Sequence, residues 1–173
     1  ADVCITRAVD FLYPRLCAEF GTPIGEMSGK PQSLLVLGMG KLGGRELNVH
    51  SDLDVMFLYE AEGSTAHARR RSAETTNNQH FFSELGQRIM RVCSRLGPLG
   101  RLYDIDPRLR PTGRSGILTT SVAEFTRYFS EGSGQLWERQ ALCKARAVYG
   151  EPQAVERALD AVGQAAYGPI WRP

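Results

Sequence analysis

Asp52 and Asp54 stand one residue apart at the start of an apolar stretch that ends at Tyr59. Side chains alternate between the two faces of a strand, so a strand here would place both carboxylates on one side and Leu53 on the other. Two carboxylates on one side repel each other unless a cation lies between them, and Mg²⁺ prefers oxygen ligands. The pair therefore predicts a magnesium site.

A glycine-rich segment begins at Gly38 and Gly40, directly after the apolar run 34–37, and reads Gly38-Met39-Gly40-Lys41-Leu42-Gly43-Gly44. Glycine permits tight turns and close approach of the backbone, and successive backbone N–H groups bind phosphate. Lys41 is interpreted in two ways, as a phosphate ligand or as an exposed residue of a short helix. A phosphate-binding turn beside metal-binding carboxylates favours nucleotidyl transfer.

A third carboxylate, Asp106, follows on a later predicted strand and is close in sequence to Arg108 and Arg110. Three carboxylates holding two metal ions would activate an attacking oxygen, bind the α-phosphate and neutralise the leaving pyrophosphate. The two arginines could bind the triphosphate through paired hydrogen bonds. The alternative is that Asp106 forms a structural ion pair with these arginines.

Two other classes of glycine loop fit the segment less well. It is not a Walker A loop, because the order Gly-Lys-Ser/Thr is absent. The spacing of Gly38, Gly40 and Gly43 does match G-x-G-x-x-G, but the acidic residue expected about 20 residues further on is not in the expected place. A dinucleotide-binding fold stays open as an alternative.

The elements that must position these residues follow from apolar periodicity and helix-capping patterns. Strands are predicted over residues 33–37, 52–59 and 101–106. Helices are predicted over residues 3–20 (bent or interrupted near Pro14), 41–47, 77–96 and 135–148, with two more beginning after Ser121 and at Pro152. Few strands separated by helices indicate an α/β or α+β class.

Two polar stretches, residues 21–31 and 62–76, are predicted to be loops. The second contains Arg69, Arg70 and Arg71 in succession. These arginines are interpreted either as a solvated loop or as a contact surface for an acidic partner or a nucleotide phosphate.

Length and composition fit one globular domain. The chain has 173 residues, 42% of them hydrophobic and 23% charged, and a formal net charge of +2. A charge this small does not favour nucleic acid or a membrane surface as a partner. No apolar run approaches the ~20 residues of a membrane span, and single cysteines without C-x-x-C spacing favour reduced, mostly buried thiols in the cytoplasm. Because no initiator Met is present, we expect the domain to be excised from a longer protein.

Several motifs together resemble the glutamine synthetase adenylyltransferase/adenylyl-removing enzyme family. They cover most of residues 10–150 in order: Gly38-Met39-Gly40-Lys41-Leu42-Gly43-Gly44-Arg45-Glu46-Leu47-Asn48, Ser51-Asp52-Leu53-Asp54, Asp106-Pro107-Arg108-Leu109-Arg110-Pro111-Thr112-Gly113-Arg114-Ser115-Gly116 and Trp137-Glu138-Arg139-Gln140-Ala141-Leu142-Cys143-Lys144-Ala145-Arg146.

This resemblance implies a polymerase-β-like nucleotidyltransferase fold, a small mixed sheet flanked by helices. It implies that Asp52, Asp54 and Asp106 are the catalytic, magnesium-binding carboxylates. Residues expected to bind the nucleotide are Gly38, Gly40, Lys41, Ser51, Arg108, Arg110 and Lys144. Lys144, like Arg146, is also interpreted as a residue that only caps a helix.

Family members carry two such catalytic domains. One transfers AMP from ATP to a tyrosine of glutamine synthetase, and the other removes that AMP by phosphorolysis, under control of a PII-type regulatory protein. The chain is long enough for one domain. Residues 38–48 resemble the removing half and residues 140–150 the transferring half, and transfer is preferred because it defines the family.

Two alternatives from other classes remain. The domain could be a binding module that senses a nucleotide or a regulator without catalysing a reaction. It could also transfer a nucleotide to a small molecule, as aminoglycoside-type nucleotidyltransferases do.

Overall fold

A five-stranded mixed sheet organises the computed structural model, which describes residues 1–67, 75–98, 100–111 and 113–168. The helices are α1 (Asp2–Phe20), α2 (Gly40–Gly43), α3 (Asn78–Ser94), α4 (Val122–Ser130), α5 (Leu136–Leu142) and α6 (Pro152–Tyr167). The strands are β1 (Thr22–Gly25), β2 (Leu34–Gly38), β3 (Leu53–Tyr59), β4 (Gly63–Ala66), β5 (Leu96–Gly97), β6 (Gly100–Arg101), β7 (Ile105–Asp106), β8 (Thr119–Ser121) and β9 (Arg146–Tyr149).

Strand β3 lies at the centre of the main sheet. It pairs antiparallel with β2, which in turn pairs antiparallel with β9. On its other edge β3 pairs in parallel with β7 near its start and with β8 near its end. The fold is thus mixed α/β with a small mixed sheet flanked by helices, as the sequence predicts.

The core has two parts, one on each face of this sheet. Alternate residues of β2 and β3 supply each part, because side chains alternate along a strand. Leu34 and Phe57 belong to the cluster packed against α1 and α3, while Leu35 and Leu58 belong to the cluster packed against α4 and α6. The strands that carry the candidate site are therefore supported on both faces.

Two predicted helices and two predicted strands are confirmed. Helices α1 and α3 and strands β2 and β3 lie where apolar spacing places them, and α1 continues through Pro14 without interruption. The hydroxyl of Ser121 accepts a hydrogen bond from the N–H of Glu124, which confirms the predicted start of α4. Pro152 occupies the first turn of α6, as predicted.

Five other predictions are wrong. The helix predicted over 41–47 is only α2, because Gly43 and Gly44 favour a turn there. The strand predicted over 101–106 is two separate strands, β6 and β7. The helix predicted over 135–148 ends with α5, and its last part is the strand β9. The two predicted loops contain β1 and β4, which pair with each other.

The tandem arginines Arg69–Arg71 lie outside the described residues. The four cysteines are free thiols, but only Cys93 is buried, so the prediction that most of them are buried is wrong. Among the described residues, no helix is both long and apolar enough to cross a membrane.

Candidate active site

Strands β3 and β7 bring two of the three predicted carboxylates side by side. They pair in parallel with Leu53 opposite Ile105 and Asp54 opposite Asp106. Paired residues on neighbouring strands point to the same face of a sheet, and neighbouring strands lie about 4.8 Å apart. Leu53 and Ile105 are buried in the core, so their strand neighbours Asp54 and Asp106 project from the opposite face.

The environment of Asp54 raises the pKa of its carboxyl. Burial is the largest cause, and the neighbouring carboxylates of Asp106 and Asp52 add to it. The positive charges of Arg108 and Lys41 act in the opposite direction. A carboxylate that is held near like charges would be stabilised by a bound cation.

Asp52 lies just before β3 and is exposed. Its effect on the pKa of Asp54 shows that the two carboxylates are near each other. The predicted pair of carboxylates therefore lies at the start of β3, with Asp52 exposed and Asp54 half-buried.

The glycine-rich segment lies directly against Asp54. Gly40 has a φ of +46°, and a Cβ added to it would lie 2.5 Å from Oδ2 of Asp54. The N–H of Met39 donates to the backbone carbonyl oxygen of Asp54 at 2.8 Å, which extends the pairing of β2 with β3. Gly38 is the last residue of β2. A turn of this kind requires glycine at position 40, because any side chain would meet the carboxylate.

Lys41 follows Gly40 along the chain, and Ser51 precedes Asp52. Lys41 is exposed and is close enough to Asp54 to influence its pKa. Ser51 closes a turn with Asn48: its N–H donates to the Asn48 carbonyl oxygen at 3.0 Å, and its hydroxyl oxygen accepts from the Asn48 N–H at 3.1 Å. This turn leads the chain into Asp52.

Arg108 binds Asp106. The backbone N–H of Arg108 donates to Oδ1 of Asp106 at 2.9 Å, and its guanidinium donates to Oδ2. The Asp106 side chain is only 13% exposed, whereas that of Arg108 is 52% exposed. The structural ion pair weighed from the sequence is therefore present, with the arginine on the solvent side of the carboxylate.

Arg110 is directed into its own loop. Its guanidinium donates to the carbonyl oxygens of Pro107 at 2.6 Å and Gly116 at 3.1 Å, so it holds the two ends of the segment after β7 together. Burial lowers its pKa. These two contacts hold the loop behind Asp106, and the charge of Asp106 opposes the effect of burial on the Arg110 pKa.

Lys144 and Arg146 contact α2 and the residues that follow it. Lys144 donates to Glu46 at 2.8 Å, and both side chains are about half exposed. Arg146 donates to the carbonyl oxygens of Leu42 at 3.0 Å and Gly43 at 3.3 Å, at the end of α2, and it forms an ion pair with Asp2. Arg146 thus caps a helix, but α2 rather than the helix predicted for its own segment.

Glu138 and Arg139 of the tryptophan-containing motif are buried. Glu138 accepts hydrogen bonds from the hydroxyl of Tyr128 and from the N–H of Gln135. Arg139 donates to the carbonyl oxygens of Phe129 at 2.8 Å and Ala165 at 2.6 Å, near the ends of α4 and α6. These contacts join α4, α5 and α6 into one layer. The sequence could not reveal this role, because the partners lie on three separate helices.

The carboxylates suit a hard divalent cation in their chemistry, since they provide oxygen ligands and repel one another. In the part of the chain that the structure describes, no three Asp, Glu, His or Cys side chains come together in a group that could hold a metal ion. Arg108 accounts for part of this arrangement, because it draws both oxygens of Asp106 into hydrogen bonds. Asp52, Asp54 and Asp106 are thus near one another without forming a closed set of ligands.

Comparison with known proteins identifies the family to which the chain belongs. Residues 1–161 match the family model described as glutamate-ammonia ligase adenylyltransferase. The chain therefore belongs to the glutamate-ammonia ligase adenylyltransferase family, which confirms the resemblance carried by its motifs.

Three relatives are much longer than the segment that the chain matches. Each is named bifunctional glutamine synthetase adenylyltransferase/adenylyl-removing enzyme. The chain is 45% identical to that of Pseudomonas aeruginosa over 159 residues, which cover 92% of this chain and 16% of the relative. It is 44% identical to that of Pseudomonas putida over 154 residues (89% and 15%) and 43% identical to that of Nitrosococcus oceani over 159 residues (92% and 16%). The match therefore spans about a sixth of each relative.

Proposed function

We propose that this domain transfers AMP from ATP to a tyrosine of glutamine synthetase, using Mg²⁺ bound at Asp52, Asp54 and Asp106. The observation that carries the proposal is the register of β3 and β7, which sets Asp54 beside Asp106 at the glycine-rich turn. The family and the printed names of its members support the choice of reaction. The same names support glutamine synthetase as the substrate.

In the proposed reaction the phenolic oxygen of the tyrosine attacks the α-phosphorus of ATP, the new P–O bond forms in line and pyrophosphate leaves. Asp106 orients that oxygen or accepts its proton. Mg²⁺ would supply positive charge at the transferred phosphate and at the leaving pyrophosphate. Lys41 and Arg108, the exposed cations of the site, would bind the phosphates, and Gly38, Gly40 and Ser51 would shape the turn around them.

The nucleotide-binding roles predicted for Arg110 and Lys144 become positioning roles in this proposal. Arg110 would hold the loop behind Asp106 through Pro107 and Gly116. Lys144 would hold the segment after α2 through Glu46. Both residues would then affect ATP binding through the shape of the site rather than through direct contact.

Asp54→Asn tests the proposal, because it removes a metal ligand while keeping the size of the side chain. We expect it to abolish AMP transfer to glutamine synthetase while leaving the far-ultraviolet circular dichroism spectrum unchanged. Asp104→Asn is the matched control: Asp104 is exposed and pairs with Arg101 in the segment that leads to β7. The proposal is wrong if Asp54→Asn transfers AMP at the wild-type rate.

Removal of AMP from the tyrosine is a second candidate, because the relatives are named for both activities. In that reaction an oxygen of phosphate attacks the phosphorus of the AMP group, the bond from that phosphorus to the tyrosine oxygen breaks, and ADP and the unmodified tyrosine are released. Two assays separate the candidates: unmodified glutamine synthetase with labelled ATP, and adenylylated glutamine synthetase with phosphate. Product in the second assay alone would assign the domain to the removing half.

We further propose that this is one catalytic domain of a longer protein that carries both halves and responds to a PII-type regulator. The span of about a sixth of each relative supports the first part. A titration of the full-length protein with a PII-type protein, compared with residues 1–173 alone, tests the second. An equal response in both would place the regulator on this domain.

A further inference from the structure

Arg146 contacts the glycine-rich segment near both of its ends. In the pairing of β2 with β9, Arg146 lies opposite Gly38, where the segment begins. Its guanidinium donates hydrogen bonds to the carbonyl oxygens of Leu42 at 3.0 Å and Gly43 at 3.3 Å, at the end of α2. One residue of β9 therefore fixes both the start of this segment and the end of α2.

Asp2 of α1 binds the other edge of the same guanidinium. Arg146 donates to Oδ2 of Asp2 at 2.7 Å and to Oδ1 at 3.1 Å, a paired, charge-assisted contact. A further hydrogen bond, at 3.4 Å, goes to the carbonyl oxygen of Ala147. The donors of a guanidinium are fixed in one plane, so contacts on both edges hold it in one orientation. The Arg146 side chain is accordingly only 21% exposed.

The middle of the glycine-rich segment contacts the candidate active site. The N–H of Met39 donates to the backbone carbonyl oxygen of Asp54, and Gly40 lies against the Asp54 carboxylate. Lys41, which is exposed and influences the pKa of Asp54, comes next along the chain. Lys41 is thus placed between residues that β3 holds and residues that Arg146 holds.

We infer that Arg146 is a positioning residue for ATP binding. It holds the end of α2 so that Lys41 and the backbone of the glycine-rich segment meet the phosphates, and Asp2 acts through it. Arg146 itself does not touch the nucleotide. This inference rests on the proposed function, since it takes the glycine-rich segment to bind the phosphates of ATP.

Arg146→Met tests the inference, because Met keeps a long apolar side chain and removes the guanidinium. We expect the KM for ATP in AMP transfer, and the Kd of ATP measured by calorimetry with Mg²⁺ present, to rise about tenfold, the value of one charge-assisted hydrogen bond. The kcat should change little, because the pairing of β2 with β3 still holds Met39 and Asp54 in place. An unchanged Kd for ATP in a folded Arg146→Met variant overturns the inference.

Arg88→Met is the matched control for the loss of an arginine that joins two elements. Arg88 of α3 donates paired hydrogen bonds to Glu19 of α1 at 2.9 and 3.1 Å, and it also binds Glu84 at 2.8 Å. Its side chain is 26% exposed, close to the value for Arg146. Arg88→Met should lower stability to urea by an amount comparable to that of Arg146→Met and leave the Kd for ATP unchanged. Equal rises in Kd in the two variants would show that ATP binding follows general stability, and would overturn the inference.

Asp2→Asn distinguishes a positioning role from direct binding of a phosphate by Arg146. The substitution weakens the paired contact, so the guanidinium is held less firmly and the Kd for ATP should rise about threefold, within the usual value of a partly exposed ion pair. If Arg146 bound a phosphate directly, loss of the competing carboxylate would lower the Kd or leave it unchanged, and either result overturns the inference. Because Asp2→Asn keeps Arg146, it also serves as the test if Arg146→Met does not fold.

Lys41→Gln separates failure of this inference from failure of the proposed function. The proposed function places Lys41 on the phosphates, so this substitution should weaken ATP binding. If the wild-type protein binds no ATP, or if Lys41→Gln binds it as tightly as wild type, the proposed phosphate site is wrong and the role of Arg146 falls with it. If Lys41→Gln weakens ATP binding while Arg146→Met does not, the phosphate site stands and only the role of Arg146 is overturned.

Discussion

Two separate constraints require glycine at position 40, where the glycine-rich segment meets the carboxylates. Its φ of +46° lies in the left-handed region, and a Cβ there would lie 2.5 Å from Oδ2 of Asp54. The first constraint is a backbone preference that any residue other than glycine would violate at a cost of about 1–2 kcal/mol. The second is specific to the site, because the atom that would be displaced belongs to a candidate metal ligand.

Substitution of Gly40 by Ala should therefore reduce both stability and AMP transfer. The added methyl group must push the Asp54 carboxylate away from its position beside Asp106, so we expect loss of most activity. Stability should fall by more than the about 1–2 kcal/mol of the backbone penalty alone. Urea denaturation and an AMP-transfer assay on the same preparation measure the two effects.

Gly29→Ala is the matched control for this prediction. Gly29 has a φ of +61°, and a Cβ built on it would meet no atom within 4 Å. It should cost about 1–2 kcal/mol and leave AMP transfer unchanged. Equal losses of activity in the two variants would mean that the contact with Asp54 is unimportant.

Local patterns could predict the place of Asp54 but not the partners of the arginines. Strand alternation puts Asp54 on the face opposite Leu53, and the structure agrees. The contacts of Arg110 with Pro107 and Gly116 depend on how a whole loop closes, which no spacing in the sequence describes. Whether a charged residue binds a ligand or its own backbone is thus decided by tertiary structure.

At the scale of elements, β9 shows how a tertiary partner overrides a local pattern. The segment 135–148 has apolar residues at helical spacing, yet only α5 is helical and β9 pairs with the edge of β2. An unpaired edge of β2 would leave backbone groups without hydrogen bonds, so pairing is favoured over the continuation of a helix. Strands β1 and β4 were missed for a related reason: each has four residues, and its partner is distant in sequence.

Arg146 links β9 to α1 and α2, and its ion pair with Asp2 predicts a dependence of stability on pH. The hydrogen bond from Arg146 is the largest cause that lowers the pKa of Asp2. Above the unfolded-state value of about 3.9 the carboxylate is ionised in both states, so its contact with Arg146 stabilises the folded state. This contribution is lost as the pH falls through the lowered pKa of the folded state.

Asp2→Asn should therefore lower the free energy of unfolding at pH 7 by at most about 1 kcal/mol, because the Asp2 side chain is 46% exposed and solvent screens the pair. The difference from wild type should shrink as the pH is lowered below about 4, where the wild-type carboxylate becomes protonated. Urea denaturation at several pH values measures it. A difference that stays constant down to the acid limit would show that charge is not its source.

At the scale of the molecule, the central sheet is shared by two hydrophobic clusters that do not mix. Leu34 and Leu35 are neighbours on β2, both fully buried, and they belong to opposite clusters. Strands β2 and β3 contribute side chains to both clusters. Loss of packing on one face would therefore expose the backbone of strands that also support the other face. The domain should therefore unfold in one cooperative transition.

The pair Leu34→Ala and Leu35→Ala tests this cooperativity with a single type of substitution on each face. Each change leaves a cavity in a packed core and should cost about 2–5 kcal/mol. In both variants the transition followed by circular dichroism should coincide with the one followed by the fluorescence of Trp137, measured in a Trp171→Phe background so that one tryptophan remains. Trp137 lies on α5, which packs on the same face of the sheet as Leu35. If the domain unfolds cooperatively, the fluorescence of Trp137 must also respond to Leu34→Ala, on the opposite face, as strongly as it does to Leu35→Ala. A fluorescence transition shifted by Leu35→Ala but not by Leu34→Ala would show that the two faces unfold independently.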